Sequence, residues 1–274
     1  MNFACRFFSR PAAMFGFAVF VAIVMIALAA PLVFARGPFN IVGMPLLPPG
    51  APGLLAGSDI LGRDMAAGLA FGARVSLLVG VTSTLCAVGI GILLGATAGY
   101  YGGLVDDLLM RFTEFFQIIP SFVLLMVLVA FMQPSLASTV IGIALISWPQ
   151  VARVVRGEFL SLRSREFVEA ARVLGMRDAR IIFTQILPNA LPPIVAVSSM
   201  MVGSAILTES ALAFLGLGDP NLLSWGSMIG GARSAMWVAW WTPVLPGLSI
   251  MITVLALNFI GDGLNDALNP RRGR

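Results

Sequence analysis

Long apolar runs alternate with short polar interruptions along this chain. The runs lie at about 14–35, 77–101, 115–131, 136–148, 191–213 and 243–260. Several approach or exceed the ~20 residues that a helix needs to cross ~30 Å of hydrocarbon. Backbone groups in lipid must be satisfied within their own segment. The pattern therefore predicts an all-α, polytopic membrane bundle with about six transmembrane helices. The ~10-residue alternating segments of a membrane β-barrel are absent.

Residues 1–35 read as an N-terminal tail and a first transmembrane helix. Ala27-Leu28-Ala29 resembles a signal-peptide cleavage site, but the apolar stretch is longer than a usual signal h-region, which favours a retained span. Residues 36–75 read as an external segment, irregular where Gly and Pro cluster and partly helical towards the second span. Residues 76–264 form the main membrane domain, and 265–274 a tail. In the second span Gly91, Gly95 and Gly99 recur every four residues. This spacing lays a smooth stripe on one helix face and lets another helix approach closely. The AGYYGG that follows lacks the TVGYG pattern of a potassium filter. Pro120 bends the third span or marks its start. A Gly- and Trp-rich connector at 214–242 precedes the sixth span.

Charge adds direction. Only 11% of residues are charged, against about 25% in ordinary soluble domains. All 17 basic residues are Arg; Lys and His are absent. Without His there is no Ser-His or Cys-His nucleophile and no His-based zinc site. Without Lys there is no GxxxxGK[ST] phosphate loop. Cys5 and Cys86 have no metal spacing and suggest no disulfide framework. The arginines flank the apolar spans, so the +4 net charge reads as topology and not as a nucleic-acid surface. With an inner N-terminus and six crossings, the inner segments hold all but Arg36, Arg63, Arg74 and Arg233. The positive-inside rule then puts both termini and the polar stretch at 150–188 in the cytoplasm.

That stretch contains EFVEAARVLGMRDARIIFTQILPNALP, residues 166–192. Phe167, Ala170, Ala171 and Leu174 fall at helical spacing, and Gly175 is a natural helix stop. Asp178 favours the start of a second helix whose apolar face is Ala179, Ile182, Phe183 and Ile186. Pro188 closes the unit. A solvated loop explains the arginines; docking of a cytoplasmic partner also explains the small side chains, the glycine stop and the periodicity. Glu209, late in the fifth span, is a candidate pathway residue, since an acid at membrane depth is costly; a structural pairing is the other reading. Asp262 and Asp266 read as interfacial or capping groups.

Glu169-Ala170-Ala171, Gly175 and Leu187-Pro188 resemble the EAA motif of binding-protein-dependent ABC importer permeases, with Gln185 where that motif carries Ile. SDILGRD (58–64), GARVSLLVG (72–80), VARVVRGEFLSLR (151–163), LPNALPP (187–193), AFLGLG (213–218), SWG (224–226) and NFIGDGLNDALNPR (258–271) are similar to blocks of the C-type permease of the dipeptide, oligopeptide and nickel importer family. The resemblance spans roughly residues 55–272. It implies a type I importer permease fold, a homologous second permease, two ATP-binding subunits and an external solute-binding protein. It implies a bacterial inner-membrane location, and a chain that is not itself an enzyme and holds no cofactor or metal. In it Ala170, Ala171 and Gly175 give close approach to an ATPase, Glu169 is a polar anchor, and Leu187-Pro188 join the segment to the fifth span. Peptides are the leading cargo, with nickel, glutathione or another small solute as the alternative. An ion-coupled secondary transporter using Glu209 is the competing class, and the internal repeats it requires are not evident.

Overall fold

A computed structural model describes residues 7–268. The first helix, α1, covers Pro11–Val33. α2 covers Met65–Tyr101 and begins well before the run expected at 77. Its start is set by Asp64, whose carboxylate accepts from the Ala66 amide at 2.8 Å, a side-chain cap on an otherwise unpaired N–H. Helix therefore starts at Met65, within the part of the 36–75 segment expected to be partly helical. The SDILGRD block is a turn serving that start. Asp59 accepts from the amides of Leu61 and Arg63, both at 2.8 Å. The buried Ser58 hydroxyl accepts from the Leu47 amide and donates to the Met44 carbonyl. At about 1.5 Å per residue α2 is roughly 55 Å long, so it projects beyond a ~30 Å hydrocarbon layer.

The third run, expected at 115–131, is divided between two helices. Two helices, α3 (Gly103–Ile118) and α4 (Ser121–Met132), meet at an 84° bend. Pro120 sits at the break: it has no N–H to donate, and its ring disfavours helix at the residue before it. α3 is two-faced. Asp106 and Thr113 turn inward, while Leu104, Leu108, Phe115 and Ile118 stay exposed.

α5 covers Leu136–Leu162, whereas the run expected there stops at 148. The helix carries through Pro149 because its continuation has a partner. A Cβ on Gly91 would lie 2.5 Å from Val151 Cβ, one on Gly95 2.8 Å from Val155 Cβ, and one on Gly99 2.6 Å from Phe159 Cβ. The glycine stripe of α2 is thus the bed in which the second half of α5 lies. The polar stretch does not start at 150; its first third belongs to a long helix.

Beyond α5 come α6 (Glu166–Val173) and α7 (Asp178–Ile181), then one widened turn of i→i+5 spacing at Ile182–Ile186, then α8 (Leu187–Phe214). Pro188 therefore does not close a separate unit. The chain stays helical from Asp178 to Phe214, and the widened turn gives the proline ring room against the preceding carbonyls. A short α9 (Trp225–Gly231) and a final α10 (Trp241–Leu268) complete the described residues; α10 extends past the run expected to end at 260. α2 is the central element, packed against α5, α8 and α1, and α10 lies against α8 and α1. Arg10, just before α1, pairs with Asp266 near the end of α10 at 2.6 Å. Both ends of the described chain therefore lie at one end of the bundle, together with Tyr101 and the α6–α7 segment. Cys86 is exposed on α2; Cys5 falls outside the described residues.

Candidate coupling site

α6 and α7 form a small helical hairpin at the arginine-rich end. Gly175 has φ +74, a conformation that L side chains enter at a cost. Around it the Met176 amide reaches the Ala171 carbonyl at 3.1 Å and the Gly175 amide reaches Arg172 at 2.9 Å. These paired bonds end a helix on a left-handed residue. Nothing lies within 4 Å of where a Gly175 Cβ would be, so within this chain the glycine serves the turn and not a close contact.

The faces differ from those expected. Val168, Ala171, Ile181 and Ile186 point inward and join Phe159, Val155 and Ala190 in one buried cluster. Ala170 is exposed and Ala171 is only 5% exposed, so the two small residues do separate things. Ala171 lets the hairpin settle on its own bundle, and only Ala170 is offered outward. Ala179 and Phe183, expected on the apolar face, are exposed. The outward surface carries Glu169, Ala170 and Phe167, then Val173 at 88% and Leu174 at 81% exposure, with Phe183 alongside. Leu187 is half-buried and Pro188 exposed. Val173 and Leu174 immediately precede the glycine turn that ends α6.

Polar contacts that the sequence reading missed tie this hairpin to α2. The Tyr100 hydroxyl donates to Asp178 Oδ1 at 2.6 Å. Arg172 lies over the Tyr100 ring at 5.4 Å. Arg163 Nη1 donates to the carbonyls of Gly99 and Tyr100 at 3.2 and 3.3 Å, where a helix C-terminus leaves acceptors unpaired. Asp178 thus acts as a tertiary acceptor and makes no side-chain cap bond. A signal was present: the chain has only two tyrosines, adjacent at the end of a span. Nearby, Arg156 holds Asp106 of α3 in a two-point pair at 2.5 and 2.6 Å.

Glu209 sits elsewhere. It is 4% exposed and accepts from the hydroxyls of Ser76 and Ser210, both at 3.4 Å. Ser76 in turn accepts from the Trp225 amide at 3.3 Å, and Trp225 Nε1 donates to Leu69 at 3.0 Å. The SWG block is therefore a clamp between α2, α8 and α9. The space beside Glu209 is about 20 Å³, room for about one water and not for a cargo. A partner subunit would only bury the residue further. Glu209→Gln, which keeps an acceptor for Ser76, is expected to hold uptake within about twofold, whereas Glu209→Leu strips a partner from buried hydroxyls and lowers stability by about 1–3 kcal/mol. Uptake assays and thermal melts on the purified complex check both.

A bundle with helices long and apolar enough for five to six crossings, a two-helix hairpin at one end and a broken helix pair is the architecture of a transporter's membrane subunit. Solved structures of that class share the fold. The inward-facing MetNI methionine ABC transporter matches at a TM-score of 0.62 and 19% identity, over 74% of this chain and 96% of that one. An amino acid ABC transporter matches at 0.56 and 15% identity, over 72% and 92%. Residues 91–274 match the family of binding-protein-dependent transport system inner membrane components. The chain belongs to that family and is a multi-pass inner-membrane ABC importer permease. Membership implies in general a second permease, ATPase subunits and a solute-binding protein, with the permease itself non-catalytic. Similar curated relatives include the dipeptide transport system permease protein DppC of Alkalihalophilus pseudofirmus, 44% identical over 216 residues (78% of this chain, 71% of the relative). The di/tripeptide permease DppC of Pseudomonas aeruginosa is 41% identical over 218 residues (79% and 72%). The glutathione transport system permease protein GsiD of Pectobacterium atrosepticum is 42% identical over 216 residues (78% and 72%).

Proposed function

We propose that this chain forms half of the translocation path of an ATP-driven importer of di- or oligopeptides, with the arginine-rich end in the cytoplasm and the α6–α7 hairpin seated on an ATPase subunit. The observation that carries the docking role is the exposed apolar pair Val173 and Leu174 on a hairpin whose other face is locked into the bundle. Apolar side chains at a polar end of a membrane protein mark a contact surface. Glu169 and Ala170 are exposed beside them and complete a patch with one polar anchor. Leu187 and Pro188 carry the hairpin into α8 without a break. The cargo assignment rests on the relatives named for peptide transport; glutathione, itself a peptide, and nickel are the alternative cargos.

In the proposed cycle, nucleotide binding closes the ATPase pair. The hairpin moves with it, and α5 and α8, joined to it through the turn at 163–165 and the widened turn at Ile182–Ile186, tilt as packed bodies. Such switching needs a bistable bundle and not a loose tether. Reconstitution of this permease with its second permease, ATPases and binding protein in proteoliposomes tests the reading. Uptake of a labelled dipeptide should require ATP and survive dissipation of the ion gradient. Uptake that follows the ion gradient and ignores ATP would sink it.

A further inference from the structure

The hairpin joins the spans at two compliant points. On one side the chain breaks helix between Leu162 and Glu166; on the other lies the widened turn at Ile182–Ile186. Short irregular joints and i→i+5 turns are where helices change direction. If the covalent joints alone held the hairpin, a push on it would be taken up as rotation at these points.

The end of α2 supplies what the joints lack. α2 has no covalent neighbour in the hairpin; Tyr100 and Asp178 are far apart in sequence, yet their side chains meet at 2.6 Å. Arg172, at the last turn of α6, covers the Tyr100 ring at 5.4 Å. Tyr100 therefore touches both helices of the hairpin, one through its hydroxyl and one through its face. Arg163, at the proximal joint, is bonded to the last carbonyls of α2. Tyr100 is itself buried in the cluster that holds Val168, Ala171 and Ile181, which fixes its ring, and its hydroxyl makes a charge-assisted bond to the exposed carboxylate of Asp178.

We infer that Tyr100, Asp178 and Arg172 form a latch that sets the angle of the hairpin to α2, so that motion of the hairpin turns the bundle instead of flexing its joints. Tyr100 and Asp178 are positioning residues for coupled transport. The inference rests on the coupling role proposed above.

Tyr100→Phe is the discriminating variant. It keeps the ring, its burial and the Arg172 contact over the ring face, and removes the hydroxyl that bonds Asp178 and also reaches Arg172. The complete complex, with Cys5 and Cys86 replaced by Ser, carries spin labels at Leu93 on α2 and Arg180 on the hairpin, both exposed. Tyr100→Phe should leave ATP hydrolysis within about twofold, lower dipeptide uptake per ATP by about five- to tenfold, and broaden the 93–180 distance distribution. Asp178→Ala should do the same, and the double variant should be no worse than the worse single one, as for two halves of one contact. An unchanged distribution in Tyr100→Phe overturns the latch, because buried apolar packing alone would then set the angle. A broadened distribution with unchanged uptake per ATP overturns its part in transport. Failure of the coupling role itself is read separately, from full uptake in the Val173→Asp, Leu174→Asp variant with Tyr100 intact.

Discussion

Gly95→Leu is expected to abolish the assembled permease. A single Cβ at this position already falls 2.8 Å from Val155 Cβ and reaches the backbone of Ala152 as well. Backbone gives way far less than the tip of a side chain, so α2 and α5 would have to separate along the seam that also seats Val151 and Phe159. Overpacking a close-packed interior costs about 1–3 kcal/mol and occasionally more. A leucine driven against backbone belongs at the upper end, about 3 kcal/mol. The result would be a large drop in melting temperature of the purified complex and uptake at background. Gly89→Leu is the matched control. It lies on the same helix but would meet nothing within 4 Å, and loss of a helical glycine is mildly favourable, by up to about 1 kcal/mol. A stable Gly95→Leu permease would mean that the α2–α5 seam is looser than its geometry indicates.

Val173→Asp with Leu174→Asp should cut uptake at least about tenfold while leaving the melting temperature of the permease pair unchanged. Both side chains are almost fully exposed, at 88% and 81%, so the chain by itself loses nothing when they change. An ATPase cleft that buries them would face two uncompensated carboxylates, and truncating a central contact alone costs about 2 kcal/mol or more. Co-purification of the ATPases with the tagged permease reads the docking directly. Ala171→Arg would not serve as this test. Ala171 is packed among Val168, Ile181 and Phe159, so an arginine there would dislodge the hairpin from its own bundle and confound docking with folding. Wild-type uptake and undiminished ATPase retention in the double aspartate variant would remove the hairpin from the coupling role.

The elements that could be read from the chain are those set by one-dimensional patterns. The glycine stop is legible because a helical pattern that ends at Gly175 has few other outcomes, and the structure has φ +74 there. The stripe of Gly91, Gly95 and Gly99 is legible as a packing face for the same reason. Its partner was not: Val151, Val155 and Phe159 lie beyond Pro149 in a stretch interrupted by Arg153, Arg156 and Glu158, where hydropathy ends the span. Glu209 stands out as an acid in a greasy run, but its bond to Ser76 joins residues from two distant helices, and nothing in the local sequence announces it.

By itself the sequence determined the membrane-spanning helical class, the arginine-rich end and the family blocks, because hydrophobic length, charge bias and local turn chemistry act over a few residues at a time. Only the tertiary structure decided that the third run is two helices at 84°, that α5 continues to Leu162, and that Ala171 is buried while Ala170 is exposed. It alone also decided that Tyr100 holds Asp178. These depend on which surfaces meet. A helix persists past its apolar run when another helix gives it a bed, and a polar side chain becomes a joint only when the fold brings its acceptor to within hydrogen-bond distance.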